Sequence, residues 1–284
     1  MRKTLRYLEE KFFKILMHIS SFIIAGCLLL IVATIIVKGF SAFNLDMLTK
    51  IPGGGFYIGK EGGILNAIIG SLYIAGGASV IGLLISIPIV VYINLHIRDK
   101  TLLGNLIRLG YDIMFGIPSI IYGVFGFTII VYLGMKTSLL GGLIEVTFLI
   151  VPIMVCTLNE IIRTVPTELS DALYSLGTTK LETARVIIKQ IMPGVVTSFL
   201  LAFARGIGDA AAVLFTAGYS DNIPTSLNQP AATLPLAIFF QLGSPIQEVQ
   251  DRAYAAALIL TVIVLFISIT SRVLGKKLSK HSIK

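Results

Sequence analysis

Two residues, Arg205 and Asp209, carry the most suggestive chemistry in the chain. They stand four apart, one helical turn, and are the only charges between Gly194 and Gly218. Residues at that spacing on a helix share a face and can pair. A guanidinium offers a planar set of donors to a tetrahedral oxyanion, and a neighbouring carboxylate holds the arginine oriented while limiting how tightly the anion is retained. Weak, temporary binding of that kind suits a conduction pathway. The same two residues would also serve simply as an ion pair locking helices together. If the stretch crosses a bilayer, each charge costs about 2.5 to 3.5 kcal/mol on insertion scales and must face a bundle interior or a wet cavity, which favours the pathway.

Other chemistries find less support. No Gly-x4-Gly-Lys-[Ser/Thr] phosphate loop occurs: Gly59-Lys60 runs into Glu61, and Gly275-Lys276 into Lys277. The chain is therefore not expected to hydrolyse ATP or to bind a cofactor itself. His18, His96 and His281 are far apart, and no nucleophile, base or metal cluster accompanies them. Cys27 and Cys156 both lie in apolar surroundings without ligand-like spacing. Ile24-Ala25-Gly26-Cys27 loosely resembles a lipoprotein processing box. The apolar run nonetheless continues from Leu28 to Val37, which reads as an uncleaved first helix.

The elements that must position Arg205 and Asp209 are membrane spans. Of the 284 residues, 55% are hydrophobic and 13% charged, and the mean hydropathy is +0.90. That mixture excludes a water-soluble globule. The apolar residues fall in blocks long enough to cross a hydrocarbon core of roughly 30 Å. The expected spans are Ile15–Val37, Ile64–Leu95 with Pro88, Ile113–Met135 interrupted by Pro118, Leu139–Leu158 with Pro152, Gly194–Gly218, and Ala253–Ser271. Glu145, near the start of the fourth, is expected to reach the membrane interface. Small residues crowd the fifth (Ala202, Ala204, Gly206, Gly208, Ala210, Ala211, Ala212), so it is expected to pack centrally against other helices. The fold expected is therefore all-α, with six transmembrane helices.

Six spans place both termini on one side. Seventeen of the 23 lysines and arginines fall before the first span, between the second and third, between the fourth and fifth, or after the sixth. Five fall in the opposite loops, and Arg205 is the remaining one. The positive-inside bias makes the termini cytoplasmic and accounts for the net charge of +8 without nucleic acid. The chain then divides into a cytoplasmic tail (1–14), a first transmembrane helix (15–37), an external loop (38–63) rich in glycine around Gly53, Gly54 and Gly55, a core (64–274) and a second cytoplasmic tail (275–284). The external run Leu234 to Leu242 is too short to span. It reads as a re-entrant or interfacial segment, or as a surface loop tucked on the bundle.

The cytoplasmic segment 160–193 carries eight charges in 34 residues. Pro166 suits a first helical turn, and Leu169, Ala172, Leu173 and Leu176 follow at one-face spacing. Gly177 fits a left-handed stop. Thr179 with Glu182 is a capping-box pattern opening a second helix, whose Leu181, Ala184, Ile188 and Ile191 share a face. Four acidic and four basic residues cancel here, which disfavours a DNA-reading helix pair. A connector packed on the bundle and a docking surface remain as readings.

Asp171-Ala172-Leu173, three residues and Gly177 resemble the E-A-A-x3-G signature of permease subunits of ABC importers. Asp replaces Glu, and Leu replaces the second Ala. Gly116-Ile117-Pro118-Ser119-Ile120-Ile121-Tyr122-Gly123 is similar to the G-x-P-S-[IV]-[IV]-[FY]-G stretch of phosphate importer permeases. Ala204-Arg205-Gly206-Ile207-Gly208-Asp209-Ala210, with Leu214-Phe215-Thr216-Ala217, resembles their A-R-x-x-G-E-T and L-F-T-A segments, in one of the two paired permease types more than in the other. The R-T-T-E segment common in the family is here Cys156-Thr157-Leu158-Asn159, which leaves a related oxyanion open as substrate.

The resemblance implies the type I ABC importer permease fold in the plasma (inner) membrane. It also implies a homologous second permease, two ATPase subunits carrying the ATP and Mg, and an external phosphate-binding protein. It places Glu168, Asp171, Ala172, Leu173, Gly177, Thr179 and Glu182 at the ATPase contact, and Arg205 and Asp209 in the substrate pathway. An ion-coupled secondary transporter or channel is the rival from another class.

Overall fold

The structure is a computed structural model that describes residues 2–53, 61–95, 97 and 101–278. Gly54, Gly55, Lys60, His96, Arg98, Lys100 and the end of the second tail, with Lys280, His281 and Lys284, lie outside the described residues. The described residues are mostly helical, with one two-residue strand pairing and an irregular stretch from Gly208 to Thr233. Helix α1 (Arg2–Ala42) is followed by α2 (Asp46–Thr49) and by β1 (Pro52–Gly53), which pairs antiparallel with β2 (Glu61–Gly62), Pro52 opposite Gly62. Then come α3 (Leu65–Leu95), α4 (Leu102–Gly116), α5 (Ser119–Tyr132), α6 (Leu139–Ile162), α7 (Thr167–Ser175), α8 (Lys180–Gln190), α9 (Met192–Ile207), α10 (Leu234–Leu242) and α11 (Gln247–Leu278).

Four of these helices have the length and apolarity to cross a membrane unbroken: α1, α3, α6 and α11. Two bent pairs, α4 with α5 at 100° and α8 with α9 at 69°, bring the number of crossings to six if each pair counts as one span. The fold is the all-helical membrane bundle expected. Helices α3 and α6 run continuously through Pro88 and Pro152, as helices supported by neighbours in lipid can. Helix α1 lies along α11, where the Lys38 ammonium sits 4.6 Å from the Tyr254 ring centroid. No residue of its most apolar stretch is buried by the rest of the chain, as suits a helix facing lipid.

Three apolar clusters stack along the bundle. The central one joins Ile74 and Ala78 of α3, Val146, Ile150 and Met154 of α6, and Ala202 of α9 to Ala212, Val213 and Ala217. A second gathers Ile64 and Ala67 with Leu234 and Ala237 of α10 and Ala255 and Ala256 of α11. The third, with Val90, Val155, Leu158, Ile187, Ile191 and Val195, seats α8 against the opposite end of α3 and α6. The short run 234–242 therefore buries its first turn, Leu234 to Ala237, while Phe239 and Leu242 stay exposed. The Leu234 N–H donates to the Ser71 hydroxyl at 2.8 Å, and Asn66 Nδ2 donates to the Ser220 carbonyl at 2.7 Å. Those two bonds tie the segment before and within α10 to α3.

Two spans differ from their expected form. The third is not one helix over 113–135. Pro118 follows Ile117, whose extended backbone ends α4, and the residue before a proline is pushed out of the helical region. Helix α4 itself falls where a loop was expected, capped by the Thr101 hydroxyl, which accepts from the Gly104 N–H. The fifth span stops being helical at Ile207 and continues as a chain of turns to Ala217. Gly206 and Gly208 weaken the helix there. Asp209 then supplies a local alternative, its Oδ1 accepting from the Ala212 N–H at 2.9 Å. The freed backbone groups are satisfied within the protein. Ser138 N–H donates to the Thr216 carbonyl and Ala231 N–H to the Ala217 carbonyl, each at 2.9 Å. Irregular backbone at membrane depth is tolerated only where it is buried in this way or lines a cavity.

Candidate functional site

Arg205 and Asp209 meet at the break that ends α9. Although Asp209 lies beyond the helix, its Oδ2 is 2.6 Å from the Arg205 guanidinium. The pair is asymmetric: the Asp209 side chain is 3% exposed and that of Arg205 46%. One carboxylate oxygen holds the arginine and the other holds the Ala212 amide. Asp209 is thus a fixed anchor, and Arg205 is the member that extends from it to an open surface of the chain.

The anchor is walled by α5 and α6. Helix α5 comes so close to the turn segment that a side-chain carbon at Gly123 would stand 2.6 Å from the Ala211 carbonyl oxygen and 2.9 Å from that of Ala212. One turn later, a carbon at Gly126 would overlap Glu145 Oε2. Glu145 does not reach the interface as expected. It is 4% exposed and sits beside Thr216 under α5. Counting from Leu139 puts it near the start of its span. The bend at Pro118 and the packing of α5 across α6 cover it, and neither is readable from the charge-free run alone.

A second polar cluster fills the stretch that departs from R-T-T-E. Asn94 Nδ2 of α3 donates to Asn159 Oδ1 of α6 at 2.9 Å, and Asn159 Nδ2 lies 3.5 Å from the Tyr111 hydroxyl of α4. Three helices are joined there by neutral groups. Cys156, one turn before Asn159, is partly buried.

The corner between α7 and α8 forms as its residue types dictate. Gly177 has φ +78, the left-handed conformation that only glycine adopts without strain. The Thr178 N–H donates to the Leu173 carbonyl at 3.3 Å and the Gly177 N–H to the Tyr174 carbonyl at 2.9 Å, the paired bonds of a Schellman stop. The Thr179 hydroxyl accepts from the Glu182 N–H. The Thr179 N–H and hydroxyl in turn both reach Glu182 Oε2 at 2.8 Å, and these hydrogen bonds hold the Glu182 carboxyl below the ordinary range.

Helix α7 buries no residue, so Glu168, Asp171, Ala172 and Leu173 all stand at least partly open on it. The one-face stripe ends on Leu176, 81% exposed, and across the corner Leu181 is 63% exposed. The face of α8 that is buried carries Thr183, Ala184 and Ile187, so of the expected Leu181, Ala184, Ile188 and Ile191 it keeps Ala184 and Ile191 and leaves Leu181 exposed. The result is an outward apolar knob of Leu176 and Leu181 on a helix pair anchored by Ala184, Ile187 and Ile191.

The comparisons converge with this geometry. Residues 87–281 match the family model described as "Binding-protein-dependent transport system inner membrane component". The chain is 35% identical over 255 residues to the phosphate transport system permease protein PstA of Yersinia pestis, covering 89% of this chain and 85% of that protein. With the PstA of Pasteurella multocida (strain Pm70) it shares 31% over 277 residues, 97% of each. With PstA 2 of Mycobacterium tuberculosis (strain CDC 1551 / Oshkosh) it shares 32% over 221 residues, covering 76% and 73%. Among solved structures, the inward-facing MetNI methionine ABC transporter superposes with a TM-score of 0.62 at 19% identity, covering 76% of this chain and 95% of that one. That likeness shows the fold.

Proposed function

Because this chain belongs to the family of binding-protein-dependent transport system inner membrane components, we propose that it is the PstA-type permease subunit of an ATP-driven phosphate importer. It is a transport subunit rather than an enzyme. Its partners in this reading are a PstC-type permease, which supplies the other half of the pathway, two ATPase subunits with their ATP and Mg, and an external phosphate-binding protein. In this reading both termini lie in the cytoplasm, the orientation that the lysine and arginine distribution favours.

One observation carries the reading: a buried Asp209 anchors Arg205 at a helix break, with the guanidinium reaching an open surface. A charge pair built only to lock helices would be buried on both sides. Here the anion-binding member is left accessible at membrane depth, where ionisable residues mark ion pathways. Arg205 gives the passing oxyanion a multidentate contact, and Asp209 competes for the arginine so that the anion leaves again. At the other end, the α7–α8 corner, with Glu168, Asp171, Ala172, Leu173, Gly177, Thr179 and Glu182, presents Leu176 and Leu181 to the ATPase.

The test is uptake of labelled phosphate into proteoliposomes holding the assembled importer, with sulfate, molybdate and phosphonate as competitors. ATP-dependent uptake that excess phosphate suppresses most strongly is the expected result. Stronger suppression by another oxyanion would reassign the substrate, and transport by this chain without the ATPase would reject the ATP-driven reading in favour of a secondary transporter or channel.

A further inference from the structure

A second polar space lies away from Arg205, at the end of the bundle that carries the α7–α8 corner. It is a cavity of about 470 Å³ bounded by the ends of α3 and α6, by α4, by the start of α7 and by α8. Arg108 of α4 and Arg163, the residue that caps α6, both line it, and no carboxylate lines it among the described residues. The Arg163 side chain forms no ion pair among the described residues. A guanidinium carries five N–H donors, so an arginine already held by the protein still has donors to offer a ligand.

The rest of the lining suits the same chemistry. Asn94, at the end of α3, is fixed by its bond to Asn159 at 2.9 Å, and Thr167 and Ser170 stand in the first turn of α7. These neutral groups add hydrogen-bonding capacity without adding a countercharge. Buried Ile162 and Ile187 supply an apolar wall. The volume falls within the range of small-molecule sites, about 300 to 1,000 Å³. Guanidinium forks match phosphate oxygens, and basic pockets between membrane helices on the cytoplasmic side take phospholipid head groups.

We propose that this cavity is a binding site for a phosphate group on the cytoplasmic side, separate from the Arg205 pathway. Two sources share that chemistry: the head group of an anionic phospholipid of the inner leaflet, and free inorganic phosphate. The bound group connects α4, the end of α6 and the start of the coupling corner. The proposal rests on the cytoplasmic orientation of that corner in the proposed function, and not on which oxyanion the importer carries.

The experiment uses the permease pair with its ATPases in phosphatidylcholine nanodiscs. The external binding protein is left out, and Arg205→Ala removes the pathway arginine. One arm measures equilibrium binding of radiolabelled inorganic phosphate. The other adds phosphatidylglycerol with a photoactivatable head group and maps the cross-links by mass spectrometry. Saturable binding is expected in at least one arm, with any lipid cross-links on the peptides that hold Arg108 and Arg163. Arg108→Gln together with Arg163→Gln should weaken it at least tenfold, since each basic residue near an anionic head group contributes about fivefold in affinity. Arg108→Lys with Arg163→Lys should keep most of it. A response confined to the lipid arm assigns the site to a head group, and one confined to the phosphate arm assigns it to the free ion. Binding in neither arm that depends on the two arginines overturns the proposal. So does loss of the ATPases from the glutamine variant with both ligands unaffected, which would give the cavity to an acidic residue of the ATPase. If the glutamine variant does not assemble, the lysine variant and the cross-link map of the chain with both arginines decide, and cross-links only elsewhere with no phosphate bound overturn the proposal. Binding is read without transport, so an importer that fails to take up phosphate would sink the substrate reading and leave this result standing.

Discussion

At the scale of single residues, the division between a fixed Asp209 and a projecting Arg205 sets what substitutions should do. Arg205→Ala removes the donor fan without disturbing the Ala212 amide that Asp209 holds, so uptake should fall at least tenfold while the complex still assembles. Asp209→Asn keeps an acceptor for that amide and removes the countercharge. The anion should then be held more tightly and released more slowly, lowering KM and maximal rate together. Uptake assays with parallel quantitation of assembled complex check both, and an Arg205→Ala importer with full uptake would return the pair to a purely structural role. The i, i+4 spacing made this pair legible in sequence even though the helix between its members does not survive. One turn of helix and a side chain reaching back across a stop bring the same atoms together.

At the scale of elements, the α7–α8 corner was legible because each of its steps has a local cause. The glycine stop, the capping box and the charge density can all be read within a dozen residues. Gly177→Val places a β-branched residue at φ +78, a conformation it adopts only under strain. Thr179→Ala removes a cap worth about 1 kcal/mol. Both should reduce recovery of the ATPase with the permease and lower uptake, the glycine substitution more severely, while the bundle itself stays folded. Normal co-purification and transport by Gly177→Val would argue against docking at this corner.

The breaks in the third and fifth spans were not legible to the same degree. Hydropathy counts residues and does not see direction. Pro118 marked an interruption but not a 100° bend, and Gly206, Gly208 and Asp209 looked like a small-sided helix rather than its end. Helix α4 carried a usable signal in Leu102, Leu106, Leu109 and Ile113 at one-face spacing. Arg108 and Asp112 beside them invited a loop reading instead.

For the whole molecule, orientation follows from the charge distribution and can be checked directly. In a protein whose Cys27 and Cys156 are replaced by alanine, Leu176→Cys should react with an impermeant maleimide only from the cytoplasmic face, and Asn222→Cys only from outside. Labelling of both from one face would invert or refute the six-span arrangement. The stacking of three apolar clusters with α8 at one end and α10 at the other was beyond reach of the sequence. It depends on which residues of α3 and α6 face each other across 65 positions of chain, as Ser86 and Val151 do, a pairing that no local pattern encodes.

The 69° bend between α8 and α9 has a mechanical meaning. Helix α8 carries Leu181 of the knob where a motor would push, and α9, about 24 Å long at 1.5 Å per residue, carries Arg205 in its last turn. The two form a crank. In the proposed importer, a small stroke applied at its handle would swing the far tip, where the guanidinium stands.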